Sequence, residues 1–116
     1  MTRHVAFASY ALAMADVDTL VTYVPIDHTE MVLAALFEAG AGQLGNYREC
    51  AFVTRGRGQF RPVDGANPAI GSVGKLEVLD EDRIEVMVPA DRRAAVIDAL
   101  RAAHPYEEPA YYVIPA

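Results

Sequence analysis

The chain has 116 residues, 53% of them hydrophobic and 22% charged, which is enough for one domain and too apolar for a disordered chain. Ten Lys and Arg against sixteen Asp and Glu give a formal net charge of −6, which disfavours nucleic acid and anionic membranes as partners. A single cysteine, Cys50, excludes an intramolecular disulfide and fits a cytoplasmic setting.

The N-terminal stretch is the most apolar, but Ser9, Asp16 and Asp18 interrupt it short of the roughly 20 residues that a membrane-spanning helix needs. Arg3-His4 followed by Val5 to Ala15, with Ala11-Leu12-Ala13 as an A-x-A-like site, has the outline of a short secretory signal. Its weak positive charge and the polar Ser9 and Tyr10 favour another reading. Residues 1–18 are expected to form an arm that pairs with a sheet edge or packs on a neighbouring subunit, and residues 19–116 the domain.

The domain carries an internal repeat. Val24-Pro25-x-Asp27 is followed by Val32, Ala35, Leu36 and Ala39, and Val88-Pro89-x-Asp91 is followed at identical offsets by Val96, Ala99, Leu100 and Ala103. Each copy opens on β-favouring residues, Leu20 to Val24 and Ile84 to Val88, and closes its strand on a proline that cannot donate to a ladder. Asp27 and Asp91 are the expected N-caps of the helices that follow, with Glu30 completing a capping box. Helical spacing of Val32, Leu36 and Ala39, and of Val96, Leu100 and Ala103, predicts one buried face on each helix. Gly40 supplies the positive φ that ends the first helix, and Pro105 stops the second by Ala103 or His104.

After the first helix a strand is expected from Glu49 to Thr54, with a continuation through Gln59 to Val63. Asp64-Gly65-Ala66-Asn67-Pro68 and Gly71 to Gly74 read as a long loop, and Lys75 to Leu79 as a strand that turns at Asp80-Glu81-Asp82. Ala110 to Ile114 is the last strand. A duplicated βαβ unit in so short a chain predicts an α+β ferredoxin-like sandwich, with two helices on one face of an antiparallel sheet. Large residues such as Met87 must then point to the other face, which homo-oligomerisation would cover.

Three segments carry candidate chemistry. Gly40-Ala41-Gly42-Gln43-Leu44-Gly45 matches the dinucleotide pattern G-x-G-x-x-G, but it follows a helix instead of opening one, so a helix stop and turn explain it better; a backbone anion nest is the alternative. Arg55, Arg57 and Arg61, spaced by Gly56 and Gly58, are candidate anion contacts, against a bulged strand with solvated arginines. His104-Pro105-Tyr106-Glu107-Glu108-Pro109 offers an imidazole and two carboxylates between prolines. His104, Glu107 and Glu108 are candidate ligands for a divalent metal, with Cys50 or His28 completing the set if the fold brings them near. In the competing reading His104 caps the last helical carbonyls, Tyr106 packs at an interface and Cys50 is a small strand residue. Ser9 and Ser72 have no triad context.

From about Leu20 onward the chain resembles the domain inserted in bacterial YqfO-type proteins of the NGG-one-interacting-factor-three family. The segments that carry the resemblance are Ala34 to Gly42, Gly45 to Phe52, Gly56 to Pro62, Gly65 to Pro68 and His104 to Tyr111. His104-Pro105-Tyr106 with Pro109 is also similar to the His-Pro-Tyr-x-x-Pro segment of CutA. The resemblance implies a CutA/PII-like ferredoxin fold and trimeric assembly. It also implies that the family's dinuclear metal site, built from His, Asp and Glu residues, belongs to flanking halves absent from this sequence, so no catalytic residue carries over. The different N-terminal arm points to a free-standing protein. The function expected is a non-catalytic binding or regulatory module that holds a divalent metal or small anion between subunits. The alternatives are a structural or protein-interaction domain, or an accessory subunit of a dinuclear-metal hydrolase.

Overall fold

The computed structural model describes residues 17–115. Four strands, β1 (Val17–Pro25), β2 (Ala51–Phe60), β3 (Glu77–Pro89) and β4 (Tyr111–Ile114), form one antiparallel sheet in the order β2-β3-β1-β4. Helices α1 (Thr29–Glu38) and α2 (Arg93–Ala103) pack against each other and on one face of that sheet. This is the ferredoxin-like α+β sandwich that the repeat predicts. Val17 and Asp18 open β1, and the rest of the expected arm, with its signal-like outline, lies outside the described residues.

The repeat is legible in the packing. Leu20 and Val24 of β1 and Ile84, Val86 and Val88 of β3 meet Val32 and Leu36 of α1 and Val96 and Leu100 of α2 in one cluster almost closed to solvent. Burying each such side chain contributes about 1.5–3 kcal/mol, so these residues dominate the stability of the fold.

Two buried carboxylates bind the copies together crosswise. Asp18 and Asp82 occupy equivalent positions of the repeat, and so do Thr29 and Arg93, the first residues of the two helices. Thr29 Oγ1 donates to Asp82 Oδ2 at 2.6 Å, while Arg93 Nε donates to Asp18 Oδ2 at 2.8 Å. Each strand's carboxylate thus holds the start of the other copy's helix.

Two local expectations are corrected. Pro25 and Pro89 lead into 3-10 turns, Ile26–His28 and Ala90–Arg92, so Asp27 and Asp91 lie within turns; the N-cap positions are His28 and Arg92, neither with a side-chain cap. The expected turn at Asp80-Glu81-Asp82 is mid-strand, because β2 sets Arg55 opposite Asp82 and Arg57 opposite Asp80 and so offsets the acidic run. Other stops are where the sequence puts them: Gly40 ends α1 with φ +114°, and α2 ends at Ala103 ahead of Pro105.

The helices cover β1 and β3 and leave β2 bare. No residue of β2 is buried, although it includes Phe52 and Val53. The described residues extend 62 × 25 × 21 Å with a radius of gyration of 16.7 Å, where a compact domain of this size has about 13 Å. The end of the β2–β3 hairpin, beyond the last β1 pairing at Glu81, is an arm projecting from a small globule.

Candidate functional site

At the end of the sheet where this arm begins, a cleft of about 490 Å³ opens between the hairpin, the loop that follows β2 and the segment between α2 and β4. Tyr23 and Glu81 come from the sheet, Phe60 and Arg61 from the end of β2, and Tyr106, Glu107 and Glu108 from the segment before β4. The Tyr106 hydroxyl donates to Glu81 Oε2 at 2.8 Å, and its ring meets Phe60 edge-on with centroids 5.5 Å apart. Burial first, and then the Glu81 carboxylate that accepts its proton, hold the Tyr106 hydroxyl well above the usual phenol range. Gly58 makes this possible: a Cβ there would lie 1.7 Å from Glu81 Oε1. Across the mouth, the Asn67 N–H donates to Glu107 Oε1 at 2.9 Å and ties the loop after β2 to the segment before β4.

His104 anchors that segment from below. The residue is only 5% exposed; Nδ1 accepts the Tyr106 backbone N–H at 3.1 Å, so Nε2 carries the proton and donates to the Tyr23 carbonyl at 2.7 Å. Burial lowers its pKa from 6.5 against the opposing pull of the Tyr23 carbonyl and Glu81, with nearby His28 also disfavouring the cation. The folded state therefore prefers neutral imidazole. That contribution to stability is complete above pH 6.5 and is lost as the pH falls through the lowered folded value. Thermal melts between about pH 8 and pH 5 should show the midpoint falling on the acid side, and His104→Gln should flatten the dependence. A wild-type midpoint constant across that window would contradict this arrangement.

The sequence-derived site residues divide between places. Glu107 and Glu108 border the cleft and His104 underlies it, whereas Cys50 sits at the approach to β2, where its N–H donates to the Gly42 carbonyl. Both His104 ring nitrogens are engaged, so ligation through either would break a bond that orders the segment. Among the described residues no group of three or more His, Cys, Asp and Glu side chains is placed to hold a metal ion. The arginines also separate. Arg55 donates from Nε to Asp82 Oδ1 at 2.8 Å, which spends its charge inside the fold; Arg57 is exposed opposite Asp80; Arg61 borders the cleft and donates to the Gly74 carbonyl at 2.9 Å. Sequence reasoning missed Glu81, because its acidic run reads as a turn, and missed Tyr23 and Phe60, which read as ordinary strand residues.

No known protein-family profile matches the chain. It is 54% identical over 100 residues to the GTP cyclohydrolase 1 type 2 homolog of Mycobacterium leprae, an alignment that takes in 86% of this chain and 26% of that protein. The structure superposes on a Bacillus cereus protein related to NIF3 with a TM-score of 0.74 and 44% identity, over 86% of this chain and 25% of that one. The chain is homologous to one segment of the NIF3-related proteins. It spans about a quarter of the length of these relatives, as the inserted-domain resemblance implies. The fold is also that of the divalent cation tolerance protein CutA from Archaeoglobus fulgidus, with a TM-score of 0.62 at 20% identity over 86% of this chain and 83% of CutA. Among its described residues, no helix is long and apolar enough to cross a membrane.

Proposed function

We propose that the chain is a non-catalytic CutA-like binding or regulatory module that works as a homo-oligomer, a trimer being the assembly the CutA resemblance implies. The observation that carries this reading is the bare β2 arm. An exposed edge strand ten residues long, with Phe52 65% exposed, is an invitation to pair with another chain unless a subunit covers it. Tyr112 and Ile114 add apolar surface on the sheet face away from the helices. Subunits meeting there would bring the loops flanking β2 and β4 to their junctions, and a divalent metal or small anion held between chains would find Glu107, Glu108, Arg57 and Arg61 at hand. The cytoplasm suits a protein whose one cysteine is unpaired.

Native mass spectrometry of the untagged chain purified without chelator tests the reading. A trimer is the expected result, with Phe52→Glu shifting it toward monomer by placing a charge in the covered face. A monomer at micromolar concentration would overturn it. The match to a quarter of longer relatives favours a second reading, in which the module serves as an accessory piece of a dinuclear-metal hydrolase; co-purification with a chain carrying the metal-binding halves would support that reading.

A further inference from the structure

We infer that the cleft between Phe60, Tyr106 and Glu81 is a binding site for a small organic cation, an ammonium with an apolar body. Its lining is largely apolar, with the rings of Tyr23, Phe60 and Tyr106, and its charge is negative. Glu81, Glu107 and Glu108 all border it, and none of the three forms an ion pair among the described residues. Glu81 and Glu107 are occupied by a phenol and a backbone N–H, neutral donors that leave the carboxylate charge intact. Arg61 is the one cation in the lining and its guanidinium is turned to the Gly74 carbonyl, so the cleft keeps an excess of negative charge.

That combination discriminates between ligand classes. An anion such as a phosphate would meet three carboxylates in a partly enclosed space, where charge repulsion is strengthened. A neutral apolar molecule would gain the aromatic contact but leave the carboxylates uncompensated. An alkylammonium gains both, since its alkyl groups meet the apolar and aromatic lining and the carboxylates neutralise its charge. The volume of about 490 Å³ lies within the range of small-molecule sites. All the lining belongs to one chain, so the cleft needs no residue from a neighbouring subunit.

Choline is a suitable probe, with 3,3-dimethylbutan-1-ol as its uncharged isostere and inorganic phosphate as the anion, each titrated into the full chain by calorimetry. Saturable choline binding at one site per chain is expected, about fivefold to tenfold tighter than the neutral isostere and undisturbed by added phosphate. The double variant Glu107→Gln/Glu108→Gln alters only exposed side chains and should fold normally. It should weaken choline at least about fivefold while leaving the isostere unchanged. Equal binding of choline and the alcohol, choline binding indifferent to the double variant, absence of choline binding, or displacement of choline by phosphate would each overturn the inference.

Discussion

Replacing Leu100 with alanine is expected to cost about 3 to 5 kcal/mol. Leu100 is wholly closed to solvent, and α2 presents it with Val96 to β1 and β3 in the middle of the core. Truncation removes the transfer energy of the lost carbons and leaves a cavity that the sheet is too rigid to close. Domains of this size are stable by about 5 to 15 kcal/mol in total, so the variant should unfold at much lower urea. Exposed Met31→Ala, on the outer side of α1, is the control and should change stability by less than about 0.5 kcal/mol. Protein concentration must be held constant, because assembly adds its own stabilisation. Equal midpoints for the two variants would mean that Leu100 is not a core residue.

Asp82→Ala should cost about 2 to 3 kcal/mol, which is unusual for a residue that the sequence presents as the end of a surface turn. Asp82 is 3% exposed and its carboxylate accepts from both Thr29 and Arg55. Most of the loss falls on Thr29, a buried hydroxyl left without its acceptor, because Arg55 is 64% exposed and recovers water when its partner goes. Asp82→Asn should cost less, since the amide oxygen still accepts from Thr29. The pH dependence gives a second readout. Burial alone would raise the Asp82 pKa, but the Thr29 hydroxyl and Arg55 outweigh it and bring it below 3.8. A carboxylate depressed in the folded state contributes stability that is complete above its unfolded pKa and is lost as the pH drops through the folded value. Wild type should therefore lose stability below about pH 4, and Asp82→Asn should lose less. This acid window lies below that of His104, so the two groups can be separated in one series of urea titrations. A variant as stable as wild type at neutral pH would contradict the crossed pinning of the helices.

The candidate site was half legible. His104, Glu107 and Glu108 stand out between two prolines, and the structure sets the segment they belong to beside the cleft. Its other wall was hidden because it depends on register. Glu81 meets Tyr106 because Gly58 of the neighbouring strand leaves space beside it, and spacing along one strand says nothing about which residue of another strand lies near it. The crossed carboxylates were closer to view. Asp18 and Asp82 obey the same offsets as the rest of the repeat, and extending the comparison a few residues upstream would have paired them. What remained invisible was the partner of each, which sits on the other copy.

By itself the sequence determined the two strand-helix units and the residues of the core, because hydrophobic period, proline and glycine act over a few neighbouring residues. Val32, Leu36, Val96 and Leu100 could be assigned to a buried face, Gly40 and Pro105 to helix ends, and the repeat to a ferredoxin-like sandwich, from local pattern alone. Tertiary structure alone decided that Asp80 to Asp82 continue a strand, that Arg55 is spent on a buried carboxylate while Arg61 borders a cleft, and that His104 is held neutral beneath Tyr106. Those outcomes turn on strand register and on which charges become neighbours after the chain has closed, and neither quantity is written in the spacing of residues along it.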